Sequence, residues 1–141
     1  MKKLFLSLGL VIAMGMPSIA AEKYGFVNVE YVMNNYPAAQ QATEWMRQEE
    51  IKVQKFVTDA RLDIEKTPEA QRKAKEEKYN KQLQNMTAQL RQQEEAKSKA
   101  IYQGFDNAVK KVGKSGGYSL IVPAALYGAT DISEDVIKAL K

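Results

Sequence analysis

The chain reads as an α+β protein: a small β-rich oligomerisation body that carries a long, protruding antiparallel α-helical hairpin. Three observations predict this. No glycine occurs between Phe26 and Gln103. Within residues 38–103 the only proline is Pro68. The β-type runs, Tyr24–Val29 and Tyr118–Val122, lie on either side of that stretch.

Each segment follows in order. Met1–Ala20 has the pattern of a secretory signal: Lys2 and Lys3, an apolar run from Leu4 to Met16, then Ser18-Ile19-Ala20 with small residues three and one before a cut. The run is too short to span a bilayer comfortably, which disfavours an uncleaved anchor. The chain has no cysteine, which excludes a lipoprotein anchor. A short signal on a cysteine-free product predicts a bacterial envelope protein of the periplasm.

Tyr24–Val29 alternates weakly and predicts strand one, followed by a short helical turn over Glu30–Tyr36. The glycine-free stretch is rich in Gln, Ala, Glu, Lys and Arg, all good helix formers. It predicts two long helices, about Ala38–Lys66 and Glu69–Val112. Pro37 suits the first turn of helix one. Thr67 is expected as N-cap of helix two with Pro68 at its first position, and Gly113 as its C-terminal glycine. Tyr118–Val122 is a second strand stopped by Pro123, and Ala125-Leu126-Tyr127 a short third one. Asp131 or Ser133 caps a last helix over Glu134–Leu140, whose charges follow the helix dipole.

A reversal at Thr67-Pro68 is preferred to one bent rod because the two helices then match. With Lys66 facing Glu69, Trp45 meets Leu90, Phe56 meets Tyr79, Glu49 and Lys52 fall beside Met86 and Leu83, and Val53 lies near Leu83. Helix one would be roughly 43 Å long at about 1.5 Å per residue. Its apolar stripe is thin, and Glu49, Gln82 and Gln93 interrupt the seam, so the arm should flex. The organisation is therefore a signal (1–20), a body (21–36 and 105–141) and an arm (37–104). A body of about 50 residues is marginal alone and exposes strand edges. Phe26, Val27, Val29, Leu120, Ile121 and Val122 are its expected joining residues, in an obligate oligomer.

Composition narrows the chemistry. Without histidine or cysteine there is no disulfide framework, no usual zinc or iron–sulfur site, and no common general base or soft nucleophile. The expectation is no enzyme, no catalytic residue, no metal and no cofactor. Gly113-Lys114-Ser115 resembles the end of a phosphate loop, but Ala108 replaces the required glycine and the helix precedes the strand. The adjacent carboxylates Glu49/Glu50, Glu76/Glu77, Glu94/Glu95 and Glu134/Asp135 do not share a helix face and read as solvated surface. The net charge of +4 falls to +2 once Lys2 and Lys3 are removed, too mild to argue for nucleic acid. Arg72, Lys73, Lys75, Lys78 and Lys81 crowd the expected tip against Glu76 and Glu77. They read first as an ordinary solvated face and second as a landing patch for anionic lipid or an acidic polypeptide.

Tyr24–Val29, Tyr31–Ala39, the Gln/Lys/Glu hairpin, Tyr118–Val122 and Asp131–Leu140 together resemble the OmpH/Skp family of periplasmic chaperones. The resemblance covers the chain beyond the signal and rests on order and pattern rather than an invariant motif. It implies a jellyfish-shaped trimer whose arms enclose a cavity and hold unfolded outer-membrane proteins without ATP. Lipopolysaccharide contact is a further family property for which no residues transfer. The expected activity is thus a holdase, with Met46, Met86 and Leu90 as adaptable client contacts. The alternative is a coiled-coil envelope spacer that binds no client.

Overall fold

A computed structural model describes residues 21–141. The expected signal lies outside the described residues. The elements are β1 (Tyr24–Phe26), α1 (Val29–Asn34), α2 (Pro37–Glu65), α3 (Glu69–Gly116), β2 (Leu120–Val122), β3 (Thr130–Asp131) and α4 (Ser133–Ala139). The α+β class with a long helical arm is what the sequence predicts.

The sheet is three-stranded and parallel, with β1 between β2 and β3. Tyr24 pairs with Leu120 and Phe26 with Val122; on the other side Phe26 pairs with Asp131. The whole hairpin is therefore the crossover between β1 and β2. Strand one is shorter than expected. Asn28, its backbone still extended, acts as N-cap: its side-chain Oδ1 accepts a hydrogen bond from the Tyr31 N–H (3.0 Å), and α1 begins at Val29.

The third strand is not Ala125–Tyr127. Those residues form an exposed loop, and the strand is Thr130–Asp131. Ile132 decides its position. It is fully buried, donates its N–H to the Phe26 carbonyl (2.9 Å), and so fixes the two residues before it against β1. The Asp131 carboxylate then accepts from the Ser133 N–H (2.9 Å), and Ser133 Oγ accepts from the Asn28 N–H (2.9 Å). The starts of α1 and α4 are thereby tied together.

The body core is Val27, Val32, Ala108, Val112, Ile132, Val136 and Ile137, with Phe105, Tyr118 and Ile121 packed against it. The end of α3 thus belongs to this core. Gly113 does not end that helix. It is buried one turn earlier, where a Cβ would come within 2.9 Å of Ile121 Cδ1. Its lack of a side chain lets β2 approach α3. Gly117 makes the turn instead, at φ 65°, with Tyr118 N–H bonded to the Gly113 carbonyl (3.0 Å) and Gly117 N–H to Lys114.

The arm follows different rules. Pro37 opens α2 as expected. Helices α2 and α3 reverse at 66–68 and pack antiparallel. Phe56 meets Tyr79 edge-on with ring centroids 5.9 Å apart. At Trp45, expected beside Leu90, Lys97 Nζ lies 4.8 Å over the ring, from a position two helical turns beyond Leu90 on α3. The expected register holds at Phe56 and Tyr79, whereas Asp63 reaches further along α3, to Lys75 and Tyr79. Pro68 occupies the N-cap position and Glu69 starts the helix. Thr67 caps nothing ahead of it: its hydroxyl donates backward to the Asp63 carbonyl (2.6 Å).

Candidate functional site

The arm is the part of the chain that its own core does not cover. Among the described residues of 37–104, only Ala60 and Thr67 are buried. Every side chain from Arg91 to Ala100 is exposed. The arm is therefore a ribbon of two helices with two broad faces.

Its tip is held by polar contacts. Asp63 Oδ2 accepts from Lys75 Nζ (2.6 Å) and from the Tyr79 hydroxyl (2.7 Å). Arg72 Nε donates to the Thr67 carbonyl (2.9 Å) and so supports the turn from the other side. The Lys75 ammonium, helped by Tyr79, holds the Asp63 carboxyl below its ordinary range, and the same carboxylate pushes the Tyr79 hydroxyl up. The five basic residues singled out at the tip thus divide. Arg72 and Lys75 brace the reversal. Lys73, Lys78 and Lys81 stay exposed and make no ion pair among the described residues. The sequence does not show the Asp63 network, because it joins residues twelve and sixteen apart across the reversal.

The three side chains singled out for client contact lie on the inner seam. Met46, Met86 and Leu90 are each half-buried between the helices. Met46 shares a groove of about 580 Å³ with Trp45, Ile101 and Tyr102 near the base of the arm. A second groove, about 410 Å³, lies toward the tip over Phe56, Val57, Ile64 and Tyr79. The apolar groups most open to solvent are others: Ile51 (51%), Val57 (46%), Leu62 (47%) and Tyr102 (64%). A helical wheel places Ile51 and Leu62, eleven residues apart, on the α2 face opposite the seam. The eleven-residue spacing of Ile51 and Leu62 is the signal in the sequence that marks this face.

Mixed charges cover the remaining arm surface. Glu44 is bound by Arg47 (2.7 Å) and Gln48, which together hold its carboxyl down to about 2. Glu49 is bound by Lys52 (2.6 Å). Gly113, Lys114 and Ser115 lie in the last turns of α3, with helix rather than strand before them.

The body presents apolar groups of its own. Leu120 on β2 is half exposed, as is Leu126, and Tyr127 is fully exposed. The outer edges of β2 and β3 have no strand beside them among the described residues. Of the six joining residues read from the sequence, Val27 is buried in its own chain's core and is not open to a neighbour. Phe26, Val29, Ile121 and Val122 are partly covered, which leaves Leu120 as the most open. Among the described residues, no helix is long and apolar enough to cross a membrane.

No curated protein matches the chain. A protein family does. The family described as Outer membrane protein (OmpH-like) matches residues 23–140, which takes in both halves of the body and the whole arm. The chain belongs to the OmpH-like family.

Proposed function

We propose that the protein is an ATP-independent holdase of the periplasm. It binds unfolded outer-membrane proteins in a space enclosed by the arms of a trimer. The family suggests a periplasmic, chaperone-like role. One observation carries the finer reading: an arm of about 40 Å, by helical rise, leaves isoleucine, valine, leucine and tyrosine side chains open along its length. A purely structural spacer needs no such groups.

Joining of subunits is supported by the size of the body core and by the open edges of β2 and β3. Leu120, Leu126 and Tyr127 supply apolar area for that joining. Holding works through many weak contacts. Apolar side chains of the arms keep client strands from pairing with one another. Lys73, Lys78 and Lys81 attract acidic stretches and speed capture. Anionic lipid is a second, lesser partner for the same lysines.

Light scattering tests this directly. A urea-unfolded β-barrel protein is diluted into nucleotide-free buffer with the purified chain. Scattering is expected to fall to baseline near one oligomer per client. Undiminished scattering at excess chain would favour the envelope spacer.

A further inference from the structure

The two larger grooves of the arm lie on one broad face. Thr43 and Glu50 line the basal groove and Val57 the distal one, and these three step by seven residues along α2. On α3, Asn80 lines the distal groove and Glu94 the basal one, fourteen residues apart. Steps of seven return to nearly the same side of a helix. The grooves share a design: an aromatic and aliphatic floor, with charges of both signs at the rim. Phe56 and Tyr79 floor one, with Arg61 and Glu76 beside them; Trp45 and Ile101 floor the other, with Lys97 and Glu94.

Their spacing follows from helical rise. Thr43 to Val57, and Asn80 to Ser98, correspond to about 21 and 27 Å at ~1.5 Å per residue. An extended chain covers that distance in roughly six to eight residues at ~3.3 Å each. Both anchoring side chains must point to the same face, so their separation must be even. A transmembrane β-strand meets these terms. It is roughly ten residues long, alternates apolar and polar, and carries aromatic groups near both ends of its apolar stretch.

We infer that this face is a two-anchor track for one extended, unfolded barrel strand, whose two end aromatics sit about eight residues apart, one in each groove. The inference rests on the holdase reading and adds the segment that is recognised and the side chains that recognise it. Val57 and Tyr102 rim the two grooves and are exposed, so both tolerate substitution.

Trp45 is the sole tryptophan and lies in the basal groove, so its fluorescence reports occupancy. Tryptophan-free peptides with two phenylalanines eight, seven or four residues apart are titrated into the purified protein. The eight-residue spacing is expected to bind at least about tenfold more tightly than the other two, because the second anchor then binds at high effective concentration. Val57→Glu or Tyr102→Glu is expected to reduce the eight-residue peptide to the affinity of a single-anchor peptide. Lys55→Glu, exposed on α2 and outside both grooves, is expected to leave it unchanged. Equal affinity for spacings of seven and eight, or an equal loss with Lys55→Glu, overturns the track. If whole unfolded barrel protein is still kept from aggregating in that case, the holdase reading stands without it. If aggregation is not suppressed at all, both fall.

Discussion

The body and the arm are built from one chain under opposite rules. In the body, six other buried side chains close around Ile132, and the Ser133 hydroxyl has defined partners in Asn28 and Asp131. In the arm, two long helices share a seam so thin that Ala60 is its one buried apolar residue among those described. The body's stability is therefore concentrated in a few positions. The arm's is spread over helix propensity, surface ion pairs and a polar clip at the tip. The difference teaches where function resides: the region that needs a unique structure is packed, and the region that must adapt to varied partners is left open.

That contrast can be broken by mutation. Ile132→Ala removes a fully buried side chain from the body and is expected to cost about 2–5 kcal/mol, read as a fall in the urea midpoint. Gly113→Ala is the next largest. A methyl group pressed against Ile121 should cost about 1–3 kcal/mol by overpacking, with separation of β2 from α3 visible in hydrogen exchange. A cost near zero would show that β2 moves freely. In the arm, Lys73→Glu, Lys78→Glu and Lys81→Glu combined should slow client capture several-fold at low salt. The effect should disappear at high salt, since exposed charges beyond a Debye length are screened. Unchanged capture rates at low salt reject the electrostatic role.

The smallest effects are expected at the tip. Asp63→Asn should leave the urea midpoint unchanged while hydrogen exchange at 64–72 rises. The same contact gives the tip a pH dependence. The Asp63 carboxyl is held below its unfolded value by Lys75 and Tyr79, so its contribution is fully present above the ordinary carboxylate range. It fades as pH falls through the lowered native value. Tip protection measured from pH 6 to pH 2 should decline accordingly in the parent chain. It should be flat across that range in Asp63→Asn, apart from a change near Glu44, whose carboxyl Arg47 and Gln48 hold down to about 2.

Much of this contrast was legible in the sequence, and the misses have physical causes. The glycine-free run with one proline marked the arm because helix propensity is local and sums over many residues. Phe56 and Tyr79 meet as the facing positions predict, because large rings on both helices mark the seam. The Lys97–Trp45 contact is not legible, because a long lysine side chain reaches beyond its facing position. Glycine serves both turns and close approach, so only the position of Ile121 shows that Gly113 is not the turn. An apolar pattern points to Ala125–Tyr127 as the third strand, whereas the backbone needs of the buried Ile132 put it on Thr130–Asp131. At the candidate site the sequence supplied the basic tip residues but not their division. Bracing by Arg72 and Lys75 is a property of the reversal itself.

Native mass spectrometry of the chain, mixed with one unfolded barrel protein and no nucleotide, addresses the account most directly. A species of three copies plus a single client is the expected result. A lone protomer that carries no client, under conditions where the barrel protein aggregates, would contradict it.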